Sequence, residues 1–201
     1  MKNAIRTIYE NKIVGIIRED NSEKAIEIAN AYIEGGIKVI EMVTPIDAVK
    51  EIAKNEDIIV AKGGIITREQ AIEAIEANAG LLISPILQMG LVKLSSGYRI
   101  PLVLTATTPN EAYQAWQVRT PLIKIYPVKE MGGAKYIEEL LRPMKFLNLM
   151  PTGSMELDDI EACLKAGATA VGLGRGLYLN KTYDEMVKTA KEAIEIAKKA
   201  H

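Results

Sequence analysis

A lysine interrupts an apolar run that otherwise has the composition of a buried strand. Lys124 lies between Leu122 and Tyr126, with an isoleucine on each side of it. Burying a lone ammonium group costs free energy unless the group is paired or gives up its proton. An amine that burial and neighbouring cations keep neutral is a nucleophile toward a carbonyl carbon. Lys124 is therefore a candidate for Schiff-base formation with a keto substrate.

Three more charged residues fall at or near the ends of predicted strands: Arg18, Glu41 and Lys62. The two-residue alternation of a strand predicts which residues point toward the interior together with each charge: Val14 and Ile16 with Arg18, Val39 with Glu41, Val60 with Lys62, and Leu122 with Lys124. A carboxylate that faces the same cavity as the lysine can move protons to and from a carbinolamine and an enamine carbon. Glu41 is the candidate for that role. For Arg18 and Lys62, the alternative that each side chain only reaches the strand end and balances its neighbours stays open.

Two glycine-rich loops near the end of the chain form a second group of candidates. The first reads PTGS and contains Thr152, Gly153 and Ser154, and the second reads GLGRGL and contains Gly174 and Arg175. Loops of this kind after the last two strands of a barrel often bind phosphate through converging backbone N–H groups. The arginine would add a charge-assisted donor. The alternative is that these glycines only make tight turns.

Residue types exclude several other kinds of site. The only histidine, His201, is the last residue, so a histidine-based triad or a multi-histidine metal site is not expected. The only cysteine, Cys163, lies in a helical pattern and is predicted to be a small core residue and not a reactive thiol. Acid–base work therefore falls to carboxylates, lysines, tyrosines or water, and no metal or other cofactor is predicted.

Charge and hydropathy restrict the partners and the location. The 25 basic and 26 acidic residues give a formal net charge of −1, which predicts no general attraction to nucleic acid or to an anionic membrane. No apolar run reaches the roughly 20 residues of a membrane span. Residues 1–9 carry charge and lack the apolar segment of a secretory signal. A cytoplasmic location is therefore expected.

Short β-rich runs alternate with helical patterns along the whole chain, which predicts an α/β protein with a parallel sheet. The predicted strands cover residues 13–18, 38–43, 58–62, 80–84, 100–105, 121–126, 146–150 and 169–173. The helices between them include 22–34, 67–77 and 183–199. Eight such units predict a single (β/α)8 TIM barrel over residues 1–201. An open, doubly wound sheet is the chief alternative.

Local signals mark where the helices begin and end. Thr67 and Thr108 have capping-box spacing to a Gln and a Glu three residues later, and Pro109 falls at the favoured first helical position. Glycine at three joints between a helix and the next strand predicts a left-handed residue there; these joints are 35–36, 80 and 167.

An ordered set of motifs runs through nearly the whole chain. In order, these are KIVGIIR, EGGIKVIEMV, ISP, TPNEA, IKIYP, GGAKYIEELLRPM, PTGS and AGATAVGLGRGL. Together they resemble the class I 2-keto-3-deoxy-6-phosphogluconate aldolases and their 4-hydroxy-2-oxoglutarate and phosphogalactonate relatives. The resemblance implies a homotrimeric (β/α)8 enzyme that cleaves a 2-keto-4-hydroxy acid, phosphorylated or not, to pyruvate and an aldehyde.

The resemblance also implies roles for particular residues. The Schiff-base lysine falls on Lys124 and the catalytic glutamate on Glu41. The remaining matches are the arginine that ends strand one, the proline of the pyruvate pocket, an aromatic residue of that pocket and a glycine of the anion loop: Arg18, Pro85, Tyr126 and Gly153.

Several positions depart from the family pattern. An arginine that is common after the strand-two glutamate is replaced near Pro45. Gly64 stands where the family has a threonine that is expected to hold the substrate carboxylate, and Lys62 is added nearby. Ser154 replaces a glycine, and Arg175 replaces a serine. The scaffold therefore matches better than the residues that would contact substrate.

Three functions are compatible with these patterns. The first is a class I pyruvate aldolase with altered aldehyde specificity. The second is another phosphate-binding barrel enzyme, an isomerase or a lyase that forms no imine. The third is a catalytically weakened trimeric barrel that serves as a ligand-binding or scaffold protein.

The segment 81–94 looks too apolar for a solvated helix, which favours self-association.

Overall fold

Eight parallel strands alternate with helices in the structure, a computed structural model that describes residues 3–200. The strands are β1 (Ile13–Arg18), β2 (Val39–Val43), β3 (Ile59–Lys62), β4 (Leu81–Ile83), β5 (Leu102–Ala106), β6 (Ile123–Ile125), β7 (Leu149–Pro151) and β8 (Val171–Leu173). Each of the eight predicted strands is present, and the observed strands are mostly shorter at one or both ends. His201 lies outside the described residues.

The helices surround the strands. They are α1 (Ala4–Asn11), α2 (Ser22–Glu34), α3 (Ile46–Ile52), α4 (Arg68–Glu76), α5 (Val92–Tyr98), α6 (Pro109–Gln117), α7 (Ala134–Leu141), α8 (Leu157–Lys165), α9 (Arg175–Tyr178) and α10 (Tyr183–Lys199). A 3-10 turn, Met89–Leu91, precedes α5. Among residues 3–200, no helix is both long and apolar enough to cross a lipid bilayer.

The sheet closes into a barrel. Its strand order is β7-β6-β5-β4-β3-β2-β1-β8, and within residues 3–200 all neighbouring strands in this order run parallel. The two outer strands of this order meet through a parallel bridge between Thr152 and Gly172 and through a 2.9 Å hydrogen bond from the Thr169 N–H to the Leu149 carbonyl. Because the strands follow one another in chain order around the ring, the (β/α)8 barrel is confirmed and the doubly wound alternative is wrong.

The core has two layers. One apolar cluster fills the barrel: Val14, Ile16, Val39, Ile59, Ala61, Leu81, Ile83, Val103, Leu122, Met150 and Ala170. Ala4 and Ile8 of α1 join this cluster, so α1 closes the end of the barrel where the strands begin. A second, larger cluster lies between the strands and the surrounding helices. Cys163 is buried there as predicted, and burial raises the pKa of its thiol to about 11.

The facing of β3 differs from the prediction. Ile59 and Ala61 belong to the cluster inside the barrel, whereas Val60 packs in the outer layer. The prediction that Val60 and Lys62 point into the barrel was therefore wrong. Both faces of a barrel strand are buried, so the apolar run that precedes Lys62 carries no alternation from which its facing could be predicted.

Most of the predicted helix ends are confirmed. Both capping boxes are formed, at Thr67 and at Thr108. Gly36 and Gly167 have the expected positive φ, at 94° and 100°. The joint before β4 is different, because Asn78 takes the left-handed conformation there (φ 61°) in place of Gly80. Asparagine is the residue that replaces glycine most readily at this position.

The apolar segment 81–94 is not a single helix. It comprises β4, a loop, the 3-10 turn and the start of α5. Two of its side chains remain exposed to solvent, Ile86 at 51% and Met89 at 42%.

Candidate active site

A buried ion pair crosses the barrel near the ends at which the strands finish. The Lys124 Nζ, from β6, lies 2.7 Å from both carboxylate oxygens of Glu41, from β2. Lys124 is 7% exposed and Glu41 is 2% exposed. An ammonium and a carboxylate that are buried together satisfy each other's charge, whereas either one alone would be strongly destabilising.

Strand register places both charges inside the barrel. Glu41 is paired with Ile16 on one side and with Ala61 on the other, and both neighbours belong to the interior cluster. Lys124 is paired with Met150, which belongs to the interior cluster, and with Thr105, which is a buried polar residue. The two strands lie on different sides of the ring, so their side chains approach each other across its interior.

Gly63 makes room for the Glu41 carboxylate. A β-carbon at Gly63 would lie 2.6 Å from Oε1 of Glu41 and 2.7 Å from a methyl group of Val43. A side chain at position 63 would therefore require Glu41, Val43 or both to move. The family resemblance draws attention to Gly64, whose φ is 78°, but the sequence gives no sign of the role of Gly63.

Two buried hydroxyl residues beside the ion pair were also missed. Thr105 is the strand neighbour of Lys124, and its Oγ1 donates a 2.5 Å hydrogen bond to the carbonyl of Ser84. Ser84 follows β4 and is fully buried. The signal was available, because Thr105 is a lone polar residue in an apolar strand, as Lys124 is.

Lys62 and Arg18 lie at the same end of the barrel. The Lys62 Nζ donates to the carbonyls of Thr44 (3.0 Å) and Gly63 (3.3 Å). Burial lowers the pKa of Lys62; Glu73 and Glu41 oppose that shift, and the charge of Arg18 adds to it. Lys62 therefore sits close to the catalytic candidates although it does not share the inward face of Ala61.

Two other predicted pocket residues follow their strands at this end. Pro85 is exposed directly after the buried Ser84, and Tyr126 follows β6 with 49% of its surface exposed. Thr107 donates a 2.7 Å hydrogen bond to the Tyr126 carbonyl, which fixes the backbone after β6. Both pocket residues are thus placed at the rim of the barrel.

The two glycine-rich loops lie side by side. Thr152 is buried, and a β-carbon on Gly172 would overlap its Oγ1. Gly153 has φ 114°, and a β-carbon there would lie 3.0 Å from Pro127 and 3.1 Å from the Tyr126 ring. The loop after β7 therefore packs directly on the segment that follows Lys124.

Backbone donors are available in both loops. Ser154 has φ 50°, and Gly174 precedes the short helix α9, which begins at Arg175. Among residues 3–200, no hydrogen bond is formed by the N–H groups of Gly153, Ser154, Arg175 or Gly176. Free N–H groups on two adjoining loops can bind an anion.

The described part of the chain offers no ligand set for a metal ion. Within residues 3–200, no group of three or more His, Cys, Asp or Glu side chains could hold one. The chemistry of the site is that of an amine, a carboxylate and nearby cations.

Residues 4–192 match the model of the family described as KDPG and KHG aldolase. The chain belongs to this aldolase family. It is a carbon–carbon lyase, and the family matches the resemblance that the motifs indicate.

Named relatives agree with the family over nearly the full length of the chain. It is similar to the 2-dehydro-3-deoxy-phosphogluconate aldolase of Haemophilus influenzae, with 28% identity over 205 residues and 96% of each chain covered. It is also similar to the KHG/KDPG aldolase of Escherichia coli K12, with 28% identity over 197 residues and 92% of each chain covered.

A solved structure shows the same fold. The KDPG aldolase of Legionella pneumophila, described with pyruvate captured as a covalent carbinolamine intermediate, superposes with a TM-score of 0.85 at 20% identity. The superposition covers 96% of this chain and 98% of the other. The two chains therefore share the (β/α)8 fold.

Proposed function

We propose that Lys124 is the imine-forming amine and Glu41 the proton shuttle of a class I aldolase that cleaves a 2-keto-4-hydroxy acid to pyruvate and an aldehyde. The buried contact between the Lys124 Nζ and both oxygens of Glu41, at 2.7 Å, carries this proposal. The carbinolamine captured in the Legionella relative supports it, because that intermediate is the product of amine attack on the pyruvate carbonyl.

The contact between Lys124 and Glu41 allows the first step of the proposed reaction, a proton transfer. Transfer of one proton from Lys124 to Glu41 leaves a neutral amine and a neutral acid, so no isolated charge remains in the buried site. The amine then attacks C2 of the keto acid to give a carbinolamine. Proton donation to the departing hydroxyl releases water and leaves the protonated imine.

Cleavage uses the imine as the electron acceptor. The C4 hydroxyl gives its proton to the Glu41 carboxylate, the C3–C4 bond breaks, and its electron pair forms an enamine between C3 and C2. The aldehyde leaves with C4. Glu41 returns a proton to C3, which becomes the methyl group of pyruvate, and water hydrolyses the imine to release pyruvate and restore Lys124.

Lys62 is proposed to hold the substrate carboxylate in place of the missing threonine at Gly64. The backbone carbonyls of Thr44 and Gly63 accept two of its three ammonium hydrogens, which leaves one for a ligand. Arg18, whose charge is felt at Lys62, adds a second cation for the carboxylate.

The loops after β7 and β8 are proposed to bind the distal anion of the substrate, a phosphate or a carboxylate. This distal subsite would comprise Thr152, Gly153, Ser154, Gly174 and Arg175. The free N–H groups of the two loops and the packing of Gly153 on Tyr126 support this assignment. Pro85 and Tyr126 would line the pyruvate pocket between this subsite and Lys124.

The protein is proposed to act in the cytoplasm as a homotrimer. Exposed apolar side chains support self-association: Ile86, Met89, Tyr113, Trp116 and Phe146 are all more than 40% exposed. Three of them form one aromatic cluster, with ring centroids 5.8 Å apart for Tyr113 and Trp116 and 4.5 Å apart for Trp116 and Phe146. Patches of this kind are common at protein–protein interfaces.

Steady-state cleavage tests the proposal. Wild-type protein should release pyruvate from 4-hydroxy-2-oxoglutarate and from 2-keto-3-deoxy-6-phosphogluconate, and Lys124→Met should abolish this release with both. Lys165→Met is the matched control, because Lys165 forms an exposed ion pair with Glu161 on α8. Full activity of Lys124→Met would contradict the proposal, and stabilisation by phosphorylated ligands without any pyruvate release would favour the alternative barrel enzyme.

A further inference from the structure

The loop after β7 brings an acidic side chain into the distal subsite. Glu156 follows the PTGS motif, and its Oε2 lies over the α-carbon of Gly176: a β-carbon at Gly176 would be 2.6 Å from that oxygen and 2.8 Å from the Met155 carbonyl. Glycine at position 176 is thus what allows the carboxylate to approach the loop after β8. Neither the family resemblance nor the loop motifs assign a role to Glu156.

This carboxylate is not neutralised by an ion pair. Among residues 3–200, Glu156 has no basic partner within ion-pair distance. Lys129 lies close enough for Glu156 to raise its pKa slightly, but its ion pair, at 3.1 Å, is with Asp159. Lys181 donates its Nζ to the Gly176 carbonyl at 2.8 Å.

The subsite therefore contains both donors and one charged acceptor. The free N–H groups of Ser154, Arg175 and Gly176 and the Arg175 guanidinium attract an anion. Glu156 beside Gly176 repels it. A phosphate monoester carries about −1.5 to −2 charges at neutral pH, so it experiences nearly twice the repulsion of a carboxylate.

We propose that Glu156 is a specificity-determining residue that selects substrates by the charge of their distal group and disfavours a phosphate dianion. This inference rests on the proposed aldolase function and on the location of the distal subsite. A neutral hydroxyl at the distal end can donate a hydrogen bond to Glu156. A carboxylate there carries one negative charge and is repelled by Glu156. A phosphate carries close to two negative charges, so its repulsion is nearly twice as large.

The test compares three keto acids that differ at the distal end. These are 2-keto-3-deoxygluconate with a neutral hydroxyl, 4-hydroxy-2-oxoglutarate with a carboxylate, and 2-keto-3-deoxy-6-phosphogluconate with a phosphate. Because Coulomb energy scales with charge, Glu156→Gln should raise kcat/KM about threefold for the carboxylate and about tenfold for the phosphate, without raising it for the neutral substrate. Added salt should reduce these gains, because it screens exposed charges.

Two variants serve as controls. Glu161→Gln removes the same charge from the exposed, ion-paired surface of α8 and should leave all three ratios unchanged. Glu156→Asp keeps the charge and should keep the discrimination against phosphate. A graded gain in Glu156→Gln alone supports the inference.

Other outcomes contradict it. An equal gain for all three substrates would mean that Glu156 acts on the loop and not through charge, and unchanged ratios would place it outside the subsite. Pyruvate has no distal group, so imine trapping with pyruvate should be the same in wild type and Glu156→Gln. If the wild-type protein forms no trapped imine with pyruvate, the proposed aldolase function is wrong. Failure of that function can therefore be distinguished from failure of the proposal for Glu156.

Discussion

Glu41 touches Lys124 through both carboxylate oxygens, so a single side chain can serve the amine and the substrate carbons that lie next to it. Glu41→Gln keeps the shape of the side chain and removes the acid–base group. Imine formation with pyruvate should remain detectable, and exchange of the pyruvate methyl protons with solvent should slow by about 10²- to 10⁴-fold. Proton NMR of pyruvate in deuterated water measures this rate. Exchange at the wild-type rate would remove Glu41 from the mechanism.

If Lys62 binds the substrate carboxylate as proposed, substrate binding should depend on pH. Burial lowers its pKa from the ordinary 10.5, so the ammonium is present below that lowered value and is lost as the pH rises through it. The KM for the keto acid should accordingly begin to rise at a pH below 10.5 in the wild type. Lys62→Arg should shift that rise to higher pH, because a guanidinium stays charged.

Removing the charge of Lys62 should have a measurable effect on the KM. Lys62→Met should raise the KM for 2-keto-4-hydroxy acids about ten- to a hundredfold, which is the usual effect of losing one hydrogen bond to a charged group. The matched change Lys145→Met alters an exposed lysine that precedes Phe146 and should leave the KM unchanged. Equal KM values in Lys62→Met and wild type would mean that Lys62 does not bind the carboxylate.

Arg175 has a longer side chain than the serine that the family resemblance leads one to expect, and we expect it to reach into the proposed distal subsite. It should grip a short anion or occupy part of the phosphate space, so 4-hydroxy-2-oxoglutarate should compete well with the six-carbon sugar phosphate. Arg175→Ser should shift the ratio of their kcat/KM values about ten- to a hundredfold toward the sugar phosphate. If the ratio does not move, specificity is set elsewhere, with Gly64 and Lys62 the next residues to vary.

At the scale of elements, Gly172 of β8 closes the barrel against β7. Its added β-carbon would overlap Thr152 and lie 3.0 Å from Ile16. Gly172→Ala should destabilise the fold by about 1–3 kcal/mol through overpacking. Gly97 of α5 is the control, since a β-carbon there meets nothing within 4 Å, and Gly97→Ala should stabilise by about 0.5–1 kcal/mol. Urea unfolding measures both, and a Gly172→Ala variant as stable as wild type would contradict this account of closure.

Helices with regularly spaced apolar residues and a capping residue at the N-terminal end were predictable from the sequence. The bounds of α2 and α10 match the predicted 22–34 and 183–199, because both have regular apolar spacing and polar residues that cap their N-terminal ends. Strand β3 shows the limit: with both of its faces buried, its sequence carries no information about which residues point inward. The four-residue helix α9 is too short to produce a periodic pattern.

The candidate site was predictable only in part for a related reason. Lys124 and Glu41 were found because a charge in an apolar strand is conspicuous. Their direct contact joins residues 83 positions apart and could not be derived from spacing along the chain. Gly63 was missed because its role is the absence of a side chain next to Glu41, which only the assembled barrel reveals.

At the scale of the whole molecule, the exposed apolar side chains are expected to be covered by other copies of the chain. The proposed homotrimer should have a mass of about three times 22.0 kDa in sedimentation equilibrium at micromolar concentration. Burial of Trp116 and its aromatic neighbours would remove surface that is costly to leave in water. A monomer under these conditions would refute the trimer.

The central claim, that this barrel works through an imine on Lys124, is tested most directly by trapping. Incubation with pyruvate and borohydride should add one reduced pyruvate adduct per chain, which peptide mass spectrometry should locate at Lys124. Lys124→Ala should remove the adduct, while Lys62→Arg should retain it at Lys124. An adduct that persists undiminished in Lys124→Ala, at Lys62 or at any other amine, would contradict the account.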